Sequence, residues 1–205
     1  MMARTGRPRE FDRDQALSSA MKLFWERGFE GTTLADLQNA MGGITPPSFY
    51  SAFGSKEDLF REAVALYNKT QGAHVTRALK EGKTAKASIE GVLRAMTDIV
   101  CRPGSPRGCL LTLGGINCIP ANKSVEDFMR EHRSERVKIF RRRLRRGISE
   151  GDLPPGVKVH ALASFYSGVV DGIALRARDG DSRKSLTSIV DCAMTVWDTM
   201  ARRES

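Results

Sequence analysis

Apolar positions recur at helical spacing along the chain, and no run of strict alternation marks a strand, so the expected fold class is all-α. The first helix opens at Asp12 as N-cap, with Gln15 three residues on, and carries Ala16, Ala20, Leu23 and Phe24 on one face before Gly28 stops it. A short second helix starts at Thr33-Leu-Ala-Asp36, again a hydroxyl cap with an acid at the third position, and turns Leu34, Leu37 and Met41 inward. Gly42-Gly43 breaks it. Thr45 then caps a third helix whose first turn holds Pro46 and Pro47, where a missing N–H costs little. Ser55-Lys-Glu-Asp58 starts a fourth helix expected to run to about Leu79.

After Gly82 the pattern lengthens, with helices expected over 84–101, 107–118, 124–149, 157–178 and 182–202. Pro- and Gly-rich breaks separate them at 102–106, 119–122, 151–156 and 180–182. The expected organisation is a helical N-terminal unit over 1–67 and a larger helical bundle over 68–205.

Composition narrows the function. The chain has 205 residues, 40% hydrophobic and 28% charged, which fits a globular protein with a real core and excludes a disordered or fibrous one. The uncharged stretch from Gly108 to Asn122 is too short and too polar to span a membrane. Arg4, Arg7 and Arg9 lead into Glu10 and Asp12 instead of an apolar run, so no secretory signal is expected and the expected location is cytoplasmic. Three scattered histidines and four cysteines without C-x-x-C spacing give no metal site, and no cofactor is expected. There is no nucleophile elbow and no phosphate loop, so an enzyme is not expected. The net charge of +9 favours a polyanionic partner.

The segment from Thr33 to Phe53 reads as a helix-turn-helix. Leu37 and Met41 can pack on Phe49 and Phe53, which leaves Thr45, Ser48, Tyr50 and Ser51 facing out. Small polar side chains with one aromatic hydroxyl suit a helix that enters a major groove, where bulk would prevent close approach. Lys56 starts the next helix and is placed to neutralise a phosphate. A second reading of the same pattern is a helical protein-interaction module without specific DNA binding.

Several residues agree with one family at fixed spacing: Ala20, Phe24, Arg27-Gly28-Phe29, Thr32-Thr33, Leu37, Ile44-Thr45, Ser48-Phe49-Tyr50, Phe53, Ser55-Lys56-Glu57 and Leu59-Phe60. Through them residues 7–67 resemble the N-terminal domain of the tetracycline-repressor (TetR) family of bacterial transcriptional regulators. The resemblance implies a three-helix DNA-binding head joined to a ligand-binding and dimerisation bundle. It also implies that Tyr50 and Lys56 contact the DNA backbone while the recognition helix reads bases. The expected DNA-contacting set is Thr33, Thr45, Pro46, Pro47, Ser48, Tyr50, Ser51 and Lys56. Gly42-Gly43 adds one residue to the turn usual in the family. The implied function is a homodimeric repressor, released from a palindromic operator by a small effector or by thiol modification.

The basic charge is not in the head. Residues 1–56 carry seven Lys/Arg and six Asp/Glu, whereas 130–146 carry nine and two, including Arg141-Arg142-Arg143 and Arg145-Arg146. That run reads as a solvated, ion-paired helix face. Arg4, Arg7 and Arg9 form a basic arm of the type that reaches a minor groove.

The last two helices carry broad apolar stripes. They fit either an intrachain core or a four-helix dimer seam, and the resemblance favours the seam, with Leu162, Tyr166, Val169, Ile173, Val190 and Trp197 in it and Gly168 and Gly172 permitting close approach. The residues expected to line an effector pocket are Met96, Cys109, Leu113, Phe128, Phe165 and Tyr166. Arg107-Gly108-Cys109-Leu110 is similar to an element found in a subset of the family. A helix starting here would put Cys109 in its first turn, where the helix dipole and Arg107 favour a thiolate. Cys118 would face the opposite side of that helix unless it breaks at Gly114-Gly115, which favours Cys101, across the Pro-Gly loop, as the resolving partner.

Overall fold

The computed structural model describes residues 12–200, among which nine α-helices and one 3₁₀ turn occur and no strand. The arm residues Arg4, Arg7 and Arg9 lie outside the described residues, as does the side chain of Met200.

The head is built from α1 (Arg13–Arg27), α2 (Leu34–Ala40), α3 (Pro46–Phe53) and the start of α4 (Lys56–Glu81). Each helix begins where a short polar side chain can satisfy orphan N–H groups. The Asp12 carboxylate accepts from the N–H of Asp14 and Gln15. Thr33 and Asp36 form a reciprocal capping box. Thr45 accepts from Ser48, and Ser55 from Asp58. Gly28, at φ 72°, lets the chain leave α1, and a Cβ there would meet the Gly114 carbonyl at 3.3 Å. Inside, Phe60 meets Phe24 and Phe29 edge-on, at 5.0 and 5.2 Å between centroids. Arg13 ties the start of α1 to the α3–α4 junction. Its guanidinium lies 4.6 Å over the Phe53 ring and donates to the Ala52 carbonyl and the Glu62 carboxylate.

The body continues through α4, α5 (Ala85–Val100), a single-turn α6 (Leu110–Leu113), the 3₁₀ turn at 120–122, α7 (Lys123–Ser149), α8 (Val159–Arg178) and α9 (Arg183–Met200). The predicted boundary at residue 67 falls inside α4, which serves as both the last helix of the head and a wall of the body. The expected helix over 107–118 shrinks to four residues. Its Gly114 carbonyl is taken by the Phe29 N–H at 2.8 Å, and Gly114-Gly115 resist helical continuation.

Helix α8 packs on α5, α7 and α9, so most of the residues expected in the dimer seam lie in the core of a single chain instead. Leu162, Tyr166, Ile173, Val190 and Trp197 are all buried within one chain. The Tyr166 hydroxyl donates to the Ala193 carbonyl at 2.9 Å, and its ring leans on Trp197. Their apolar stripe is satisfied by α5 and by the facing helix of the pair, leaving only Val169 half-buried.

The segment 108–122 holds head and body together. The Trp25 indole N–H donates to the Gly108 carbonyl at 2.9 Å, inside the core. Arg178 on α8 donates to the carbonyls of Trp25 and Glu26, at 3.2 and 2.6 Å. The Glu30 carboxylate accepts from the Ile119 N–H and the Asn122 side-chain amide, at 2.9 and 2.8 Å.

Candidate nucleic-acid interface and internal cavity

Helix α3 divides cleanly. Phe49 and Phe53 are buried against the head, while Thr45, Pro46, Pro47, Ser48, Tyr50 and Ser51 are exposed together. Two prolines at the start remove N–H groups that would have had no partner anyway. Gly42 and Gly43, at φ 87° and 79°, make the turn from α2, a conformation that residues with a Cβ rarely adopt. Tyr50 is 52% exposed, with its ring edge-on to Phe49 at 5.4 Å, so the aromatic base is fixed and the hydroxyl end is free. The Thr45 hydroxyl is engaged in capping and donates to the Ser48 hydroxyl at 3.0 Å. That leaves Ser48 with an uncommitted O–H donor on the exposed face. The Thr33 hydroxyl donates to Asp36 at 2.6 Å, so its side chain is first of all a cap.

Lys56 is placed differently from a lysine extended into solvent. Its ammonium lies 4.2 Å from the Phe29 ring centroid, half-buried. Burial pulls its pKa down, and the nearby Glu30 carboxylate opposes that shift.

Of the arginine run of α7 only Arg143 is internal to the fold, while Arg130, Arg142, Arg145 and Arg146 stay exposed. Arg143 is 6% exposed and donates to the Ser88 hydroxyl and the Gly82 carbonyl, with Glu150 and Asp152 within 4 Å. Arg142 pairs with Glu135, Arg146 with Glu150, Arg130 with Asp127 and Arg136 with Asp171. These pairs match the ion-paired face read from the sequence.

A cavity of about 180 Å³ opens among α4, α5, α6, α7 and α8. Met96 and Cys109 line it as expected, but Leu113, Phe128, Phe165 and Tyr166 do not. Leu111 takes the place of Leu113. Phe128 lies under the Arg61 guanidinium at 4.4 Å, Phe165 is on the outer surface of α8, and Tyr166 is locked into the α8–α9 core. The sequence reading missed the α4 wall, which comprises Tyr67, Asn68, Gln71, Gly72, Val75 and Thr76, and also the α7 residues His132, Glu135, Arg136 and Ile139. The signal was present as the 67–71–75 spacing on α4, one turn apart, with a glutamine among apolar neighbours.

Cys109 is not in the first turn of a helix. It is the N-cap residue of a four-residue helix, so the expected helix-dipole activation has no support. Its sulfur instead accepts from the Tyr67 hydroxyl at 3.5 Å. Burial raises the Tyr67 pKa well above the ordinary phenol value, so this donor keeps its proton. All four cysteines are free thiols.

A two-helix reader with an exposed second helix, on a bundle enclosing a cavity, defines the class of helix-turn-helix regulators with a separate sensing domain. Residues 16–63 match the family model described as bacterial regulatory proteins, tetR family, and residues 85–192 match the tetracyclin repressor-like C-terminal domain. The repressor ComR of Escherichia coli is 29% identical over 198 residues, covering 96% of this chain and 94% of that protein. The repressor BdcR of the same organism is 27% identical over 181 residues, 88% of this chain and 86% of that one. A cysteine-substituted form of the TetR-family regulator CifR, solved with 26-base-pair operator DNA, superposes with a TM-score of 0.89. It is 41% identical, with 94% of this chain and 100% of that one covered. The chain belongs to the TetR family of bacterial regulatory proteins. Its members are DNA-binding transcription regulators, not enzymes. Among the described residues no helix is long and apolar enough to cross a membrane.

Proposed function

We propose that the protein is a cytoplasmic homodimeric repressor that binds a palindromic operator and is released when its cavity is filled or Cys109 is modified. The observation that carries this reading is the exposed row Thr45, Ser48, Tyr50 and Ser51 on α3, set on a head whose core is otherwise closed. Two heads related by a two-fold axis read half-sites roughly 34 Å apart, about one turn of duplex. Ser48 is the candidate for base readout, and Tyr50 and Lys56 for phosphate contact, with Thr33, Pro46, Pro47 and Ser51 lining the approach. For Lys56 this requires the ammonium to leave the Phe29 ring.

The dimer face is the outer side of the last two helices. Phe165, Gly168, Gly172 and Leu175 on α8 and Ile189, Cys192 and Val196 on α9 share that side and remain wholly or partly exposed in a single chain. A Cβ at Gly168 or Gly172 would meet nothing within 4 Å, so these glycines leave room for a partner helix. The route from cavity to head is short. Cys109 follows Gly108, which receives the Trp25 indole, and the same segment ends at Gly114, which receives the Phe29 N–H. A ligand that displaces Cys109 therefore pulls on the head at two points, Trp25 on α1 and Phe29 in the turn that follows it.

The test is a mobility shift with fragments of DNA flanking the gene, run across a range of salt. A specific complex whose affinity falls steeply with salt is expected. Absence of any specific fragment at low salt favours a helical interaction module instead.

A further inference from the structure

Lys56 is the first residue of α4, at the positive end of a 26-residue helix, where a cation is disfavoured. Two features of the head hold it there. Its ammonium lies 4.2 Å from the Phe29 ring centroid, and the Glu30 carboxylate is near enough for the two charges to stabilise each other. Among the described residues Lys56 makes neither an ion pair within 4 Å nor a side-chain hydrogen bond, so its N–H donors are unused.

Glu30 belongs to the head in sequence and to the body in its bonds. The Ile119 N–H and the Asn122 amide both donate to one carboxylate oxygen, Oε1, at 2.9 and 2.8 Å, and Oε2 accepts from neither. The Glu30 pKa is lowered first by Asn122 and, to a smaller extent, by the Lys56 charge. The next residue of α4, Glu57, is tied to the same stretch of the body. The Ser124 hydroxyl donates to Glu57 Oε2 at 2.9 Å, while Arg61 takes Oε1 at 2.7 Å. The body segment 119–124 therefore fixes both the acid beside Lys56 in space and the acid beside it in sequence.

We propose that Glu30 is an intramolecular competitor of the DNA phosphate, retaining the Lys56 ammonium on the Phe29 ring in the free protein and thereby limiting operator affinity. This rests on the phosphate role given to Lys56 above and names the positioning residue that governs it. A phosphate offers Lys56 what the ring cannot, oxygen acceptors for its N–H donors and the anion that the start of α4 favours. Binding exchanges one contact for the other, so whatever stabilises the free-state contact weakens the complex. The phosphate carries no sequence information, so Glu30 lowers affinity for operator and for random duplex by the same factor. Because the body holds the carboxylate, a shift of 119–124 relative to the head alters the grip on Lys56 with the α3 surface unchanged.

Glu30→Gln tests this, because it keeps an acceptor oxygen for Ile119 and Asn122 and removes only the charge. Affinities are measured for the full chain, Glu30→Gln, Lys56→Ala and the double variant, on the specific fragment found by mobility shift and on a scrambled duplex of equal length. Glu30→Gln is expected to tighten both complexes by about threefold, and the gain is expected to vanish in the Lys56→Ala background. In the DNA-free protein, NMR reads the Lys56 Cε protons, which the Phe29 ring shifts upfield. In Glu30→Gln they are expected to move towards the position of a free lysine. An equal gain with and without Lys56 overturns the proposal, since it reflects only the loss of a negative charge near DNA. An unchanged affinity for Glu30→Gln, or a Lys56 resonance that does not move, overturns it as well. In each of these cases Lys56→Ala still weakens binding, and the phosphate role of Lys56 stands. If Lys56→Ala instead binds both duplexes as the parent does, that role fails and the proposal falls with it, so this one variant tells the two failures apart.

Discussion

Trp25→Phe tests whether the head is held to the body by the 108–122 segment. The indole is 2% exposed, its N–H meets the Gly108 carbonyl at 2.9 Å, and its ring is edge-on to Tyr67 at 4.9 Å. Phenylalanine keeps an aromatic face towards Tyr67 but removes the donor, and leaving that buried carbonyl unpaired costs about 1–3 kcal/mol. The lost part of the ring system adds roughly 1–2 kcal/mol in burial, for a total of about 3 kcal/mol. That is a large share of the stability of a single folded chain, yet it leaves the chain folded. At a urea m-value of about 3 kcal/mol/M the midpoint falls by about 1 M. The assay is urea unfolding followed by fluorescence at fixed protein concentration, with Trp197 as the remaining tryptophan of two. A midpoint lowered by less than about 0.2 M with an unchanged slope would refute the reasoning, because the Gly108 carbonyl would then not depend on the indole.

Tyr50→Phe and Lys56→Ala should each weaken DNA binding across all sequences, and Lys56→Ala should flatten the salt slope by about one unit, read from affinities at several salt concentrations. An unchanged slope would leave Lys56 as a prop for Phe29. Leu175→Glu, at a position 50% exposed, should give folded monomers by light scattering, whereas Ile173→Glu, fully buried in the chain, should destroy the fold. Folded monomers from Ile173→Glu would contradict the packing of α8. The Glu30 carboxylate has its pKa held below 4.5 by Asn122 and, less strongly, by the Ile119 N–H. A lowered folded-state pKa contributes stability that is present above 4.5 and lost as pH falls through the folded value. Acid unfolding of Glu30→Gln should therefore be flatter on the acid side than that of the parent, and identical profiles would remove Glu30 from the contact between head and body.

Local signals were enough for the head. The caps at Asp12, Thr33, Thr45 and Ser55, the Gly42-Gly43 turn and the inward set Leu37, Phe49 and Phe53 are determined by residues only a few positions apart, so the pattern alone gave the helix-turn-helix and its exposed row. The body required tertiary information. The stripe through Leu162, Tyr166 and Ile173 is apolar whichever surface covers it, and only the packing of α5 and α9 decides that the cover is internal. The helix expected at 107–118 had acceptable periodicity, but Phe29, 85 residues before Gly114 in the chain, takes the Gly114 carbonyl and the helix stops. The cavity lies between elements distant in sequence, with its charges neutralised by Asp171 and Arg142. Periodicity reports which face of a helix avoids water, whereas the identity of what covers that face is a property of the assembled chain.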